Sequence, residues 1–165
     1  MPRFLAFLPC ERVVVASDDQ SISLFSIVQG ITATQLAAAS SDEPHPSEDS
    51  PATLPIRWSI FVLWQRLAED EGVTYESRVQ LLSPSGNPLV EHTSELALLK
   101  NRHRYTMKAF GFPYVGKGQY LLRLSLRTLS PSTGEFNTIA EYPIDGELTI
   151  EEPVASKVSE KTARN

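Results

Sequence analysis

The residues best suited to hold a charged partner are Lys100, Arg102, His103 and Arg104, joined further along the chain by Arg123 and Arg127. Alternating arginines on one face of a sheet grip carboxylate or phosphate groups through paired N–H donors. Arg102, His103, Arg104, Arg123 and Arg127 therefore form the candidate binding set, on the condition that their two strands pair. A solvated, salt-bridged face accounts for the same residues, because exposed strand positions are ordinarily charged.

Catalytic patterns are missing around this set. His45, His92 and His103 are far apart and lack the spacing of zinc ligands. There is one cysteine, Cys10, and no Gly-x-Ser-x-Gly elbow to present a nucleophile. Gly116-Lys117-Gly118 offers backbone N–H groups and a lysine to a phosphate, but neither a P-loop pattern nor a helix follows it, and a hairpin turn explains it better. The carboxylates of Glu69-Asp70-Glu71 and Glu151-Glu152 fall in wet loop sequence, where nothing would push two acids apart in pKa. Glu11 is read either as a partly buried partner of Arg57 or Arg78 that orients strands, or as a surface residue. No catalytic residue, metal or cofactor is expected.

The elements that must position these residues are strands. Ile56 to Trp64 is the longest unbroken apolar run and carries both tryptophans; Pro55 and the β-branched and aromatic content favour a strand over a helix. With only Ser59 polar inside it, both of its faces must be covered. Val13-Val14-Val15 and Ser21 to Ile27 flank the turn residues Ser17 to Gln20 as a hairpin, with Pro9 bending the first strand and Gly30 marking a bulge or the end of pairing. Clean alternation over Val73 to Leu81 and Gln119 to Arg127 gives half-buried strands, and Leu89 to Leu99 and Arg102 to Phe112 supply two more. Phe136 to Ile144 and Glu147 to Ile150 complete the set. Eight or nine short strands without a helical period predict an all-β antiparallel sandwich, with a partly open barrel as the alternative. Its predicted core is Trp58, Ile60, Val62, Trp64, Val79, Leu81, Tyr120, Leu122 and Leu124.

A chain of 165 residues makes one domain, here residues 1–151, followed by a flexible tail at 152–165. Residues 39–51, rich in serine, proline and acid, cannot bury enough apolar surface to offset chain entropy and read as a disordered loop or a lid. The net charge of -5 disfavours a role built on nucleic acid phosphates. The start fails as an export signal, no stretch has the roughly 20 apolar residues of a membrane helix, and the lone cysteine suits a reducing compartment. Cytoplasmic residence is the expectation.

Several local patterns recur together: Cys10-Glu11 before a valine-rich strand, Pro55-Ile56-Arg57-Trp58, Glu76-x-Arg78 leading to Leu82-x-Pro84-x-Gly86, and Gly118-x-Tyr120. On these the chain resembles a family of small uncharacterised bacterial proteins, a domain of unknown function. The resemblance implies the fold class and a bacterial cytoplasmic setting, and it carries over no catalytic residue. The expected function is a non-catalytic binding or assembly module that takes a protein partner, or a second copy, through a sheet edge or the arginine-bearing face. The alternative is a small-ligand or hydrolytic enzyme with its site under the acidic loop.

Overall fold

A computed structural model describes residues 1–36, 46–130 and 134–151. The strands are β1 (Arg3–Val15), β2 (Ile22–Ile27), β3 (Gly30–Leu36), β4 (Ala52–Gln65), β5 (Thr74–Leu82), β6 (Pro88–Ala97), β7 (Arg102–Tyr114), β8 (Gly118–Ser130) and β9 (Asn137–Glu151). They form two sheets, ordered β2-β1-β4-β7 and β3-β9-β8-β5-β6. The two inner faces enclose one apolar core, and all nine predicted core residues lie in it.

One pairing departs from the antiparallel expectation. β3 runs parallel to β9, with Gly30 opposite Asp145 and Leu36 opposite Glu151. Its cause lies just after β2, near the glycine that was expected to mark a bulge or the end of pairing. The chain leaves the first sheet at Val28 and Gln29, whose backbone bonds to Pro9 and Asp145 hand it from one sheet to the other. β1 also divides its loyalty. It pairs with β4 from Arg3 to Cys10 and with β2 from Cys10 to Val15, so the bend expected at Pro9 is the point where the partner changes.

That change has a consequence for β4. Trp58, Ile60, Val62 and Trp64 face the core, which by alternation turns Ser59, Phe61 and Leu63 outward. Yet Phe61 is only 3% exposed. The β1–β2 hairpin lies over this outer face: Val13 shares a recess with Ser59 and Thr106, and Ile22 shares another with Leu63. Both faces of the tryptophan strand are thus covered, one by the opposite sheet and one by the hairpin.

At the other end of the core, Tyr120 accepts from the backbone N–H groups of Val115 (2.8 Å) and Gly116 (3.2 Å) and donates to the Gly116 carbonyl (2.8 Å). Its ring lies against Gly146, where a Cβ would come within 2.5 Å of it. Only glycine fits there. Of the acidic loop, residues 39–45 lie outside the described residues, as does the tail at 152–165. The described part is docked: Glu48 accepts from Ser83 and Ser85, and from Asn87 at 2.7 Å, which holds its carboxyl below the ordinary value.

Candidate binding face

Alternation along β7 turns Arg102, Arg104, Thr106, Lys108 and Phe110 outward, because Tyr105, Met107 and Ala109 pack on the core. Register with β4 sets Arg57 opposite Phe110, and its guanidinium lies 5.8 Å from that ring. The bent end of β1 adds Arg12, 4.7 Å from the ring of Phe25. Arg12, Arg57, Lys108 and Phe110 line a shallow recess of about 340 Å³, with Glu11 at its side. A second recess of about 640 Å³ at the other end of the face is lined by Lys100, Arg102 and Arg104 together with Leu63 and Leu99. Arg104 donates to the backbone oxygen of Gln20 (3.0 Å) and to its Oε1 (2.7 Å), which fixes the side chain without neutralising it.

The charge distribution is lopsided. Strands of the first sheet carry Arg3, Arg12, Arg57, Arg102, Arg104 and Lys108 against Glu11 alone. Strands of the second carry Arg78, Arg123 and Arg127 against Glu76, Glu91, Glu95, Glu141, Asp145, Glu147 and Glu151. Among the described residues, no arginine or lysine of the first sheet's strands forms an ion pair with a carboxylate.

The structure divides the set expected from sequence. β7 and β8 belong to different sheets, so Arg123 and Arg127 do not share a face with Arg102 and Arg104. Arg123 pairs with Glu141 at 2.7 Å and Arg127 pairs with Glu76. Arg127 and Arg78 also stack on Phe136, at 4.5 and 4.0 Å from its centroid. Arg123 and Arg127 are thus neutralised within their own sheet, whereas Arg78 has the Phe136 ring but, among the described residues, no ion pair. His103 points to the opposite side of β7 from its arginine neighbours, is half-buried, and among the described residues has no carboxylate in hydrogen-bond reach; burial pulls its pKa below the ordinary histidine value. Glu11 is exposed and makes no ion pair, which settles its reading as a surface residue. Missed in the sequence were Arg12, Arg57 and Lys108. Alternation in β4 already turned Arg57 away from the tryptophans, but only strand order brings the three together.

A further correction concerns the acidic turn after β4. Asp70 is 2% exposed rather than wet. It accepts from the Tyr75 hydroxyl at 2.6 Å and from the Leu67 N–H at 2.7 Å, and the N-terminal ammonium lies 3.5 Å away. Every contact satisfies a buried carboxylate, and none brings a second acid or a nucleophile to it. Cys10 is fully buried, and burial pushes its thiol pKa up, away from the reactive thiolate. Among the described residues no group of three or more histidines, cysteines or carboxylates is placed to hold a metal ion, and no helix is long and apolar enough to cross a membrane. Compared with known proteins, the chain matches no family model and shows no significant similarity to any curated protein.

Proposed function

We propose that the protein is a non-catalytic binding module whose contact surface is the outer face of the four-stranded sheet, and that its partner is an acidic, partly apolar protein segment. One observation carries this reading: Arg12, Arg57 and Lys108 converge on a recess where Glu11 is the one carboxylate in the lining and, among the described residues, none of the three cations forms an ion pair, while Arg123 and Arg127 of the opposite sheet are both ion-paired. An acidic chain that holds a cluster of unpaired cations on one face meets anions there by electrostatic attraction. Phe110 is 73% exposed and Phe25 is 42% exposed beside them. Exposed aromatic residues next to arginines favour a protein segment that brings apolar side chains as well as carboxylates.

The test is fluorescence anisotropy with a labelled glutamate-rich peptide carrying leucines, with a single-stranded oligonucleotide as competitor. The peptide should bind the wild type more weakly as salt rises. Its affinity should fall about tenfold or more in an Arg12→Ala, Arg57→Ala, Lys108→Ala variant, as expected for losing several charge-assisted contacts. An Arg123→Ala, Arg127→Ala variant should bind as the wild type does. Equal affinity for all three proteins would remove the face from consideration, and tighter binding of the oligonucleotide would replace the partner class.

A further inference from the structure

The cationic face is one feature of the first sheet; its open edge is another. β6 and β7 are the neighbouring edges of the two sheets, and among the described residues neither has a second strand partner. No proline interrupts Leu89 to Ala97 or Arg102 to Phe112, so both edges present usable N–H and C=O groups. Between them the sandwich is unsealed. A cleft of about 440 Å³ enters there and reaches Trp58, Ile60 and Leu122 of the core. Val90 faces inward, opposite Leu81 of the core, yet it is 51% exposed because none of the described residues closes the seam.

The register across this seam can be read. His92 and Met107 both line the cleft and also the adjoining recess of about 300 Å³, so they stand at one level. From that level β6 and β7 run in opposite directions: Val90 continues with the residues after Met107, and Leu96 with those before it. With a side-chain period of two, the outward residues Glu91, Thr93 and Glu95 of β6 then stand level with Lys108, Thr106 and Arg104 of β7. Two carboxylates match two cations, and a threonine matches a threonine.

We infer that a second copy of this chain seals the seam, in a two-fold dimer whose axis runs along the strands. This operation sets β6 of each copy antiparallel beside β7 of the other, in the register above. Glu91 meets Lys108, Glu95 meets Arg104, and the two open clefts close on each other. Each four-stranded sheet becomes continuous with the five-stranded sheet of the other copy. A two-fold axis across the strands would instead set β7 against β7 and β6 against β6, which brings like charges together. The charge pattern therefore selects the crossed arrangement. Gly111, with φ +83°, breaks the regular strand just beyond the matched stretch and limits its length. This inference shares Lys108 and Arg104 with the cationic face but does not use Arg12 or Arg57, so loss of peptide binding and loss of the dimer can be told apart.

Sedimentation equilibrium on the full chain tests it with two charge-reversed variants, Glu91→Lys, Glu95→Lys and Arg104→Glu, Lys108→Glu. The wild type should be a dimer, and each variant alone should be a monomer. An equimolar mixture of the two variants should form a heterodimer, because each β6 then meets a β7 of opposite sign. The mixture also controls for folding, since a misfolded variant could not restore association. A wild type that stays monomeric across the micromolar range, variants that still dimerise, or a mixture that stays monomeric would each overturn the crossed dimer. A failed peptide titration with an intact dimer would overturn the face reading alone.

Discussion

The outer faces of the two sheets solve the same problem in opposite ways. On the five-stranded sheet two exposed arginines find carboxylates, Arg123 on Glu141 and Arg127 on Glu76, and the Gln80 amide donates to Glu91. On the four-stranded sheet a hairpin buries the centre, and among the described residues the cations around it form no ion pair, although Glu11 and Asp19 line the same recesses. An arginine paired within its own sheet has little charge left to offer a partner. A face that keeps like charges close together is held at an electrostatic cost, and the fold does not need them there.

The largest test of this contrast is burial on the two sides of β4. Trp64→Ala, on the core side, should cost about 3 to 5 kcal/mol in urea unfolding. Phe61→Ala, on the outer side, should cost about 3 kcal/mol, because the hairpin makes that side an interior. A loss below about 1 kcal/mol at Phe61, as for an exposed residue, would show that the hairpin does not cover the sheet.

Next comes the link between the sheets at Asp70 and Tyr75. Removing the Tyr75 hydroxyl in Tyr75→Phe leaves a buried carboxylate one donor short and should cost about 1 to 3 kcal/mol. The same pair sets an alkaline limit. Burial first, then the hydrogen bond and charge of Asp70, raise the Tyr75 pKa above its ordinary value near 10. The unfolded chain therefore loses its proton first, and stability should fall as pH rises beyond about 10. Thermal melts of wild type and Tyr75→Phe should converge there. A wild type with no alkaline slope would contradict the buried hydrogen bond.

Smallest are the surface charges, where the contrast is sharpest in sign. Arg127→Ala should cost up to about 1 kcal/mol, the range of a partly exposed ion pair. Arg57→Ala and Lys108→Ala should change stability by less than about 0.5 kcal/mol or raise it slightly. Equal losses on both faces would mean that the cations of the first sheet have structural partners after all.

Much of the architecture was legible in the residues. The period of two in β5 and β8 identified the core side, and the apolar run of β4 announced that both its faces are covered. Alternation states which way a side chain points but not which sheet its strand joins, so Arg123 was expected beside Arg102 although the core separates them. Partner changes were equally hidden. Val28 and Gln29 are ordinary residues, and only their bonds to Pro9 and Asp145 reveal the crossing. Asp70 was misread because three acids in a row look wet, while the hydroxyl that receives the middle one lies five residues further on.

The parallel pairing of β3 with β9 shapes how the chain reaches this state. Gly30 meets Asp145, so a strand made early is held by one made more than a hundred residues later, as about 115 positions separate the two. Synthesis at roughly 5 to 20 residues per second leaves β3 without its neighbour for on the order of ten seconds. β1 and β2 can pair locally in that interval, as hairpins form within microseconds, but the five-stranded sheet cannot close on its outer edge until β9 emerges. Folding of this sandwich is therefore finished only after β9 has been made, and its high proportion of distant pairings places it among slow folders.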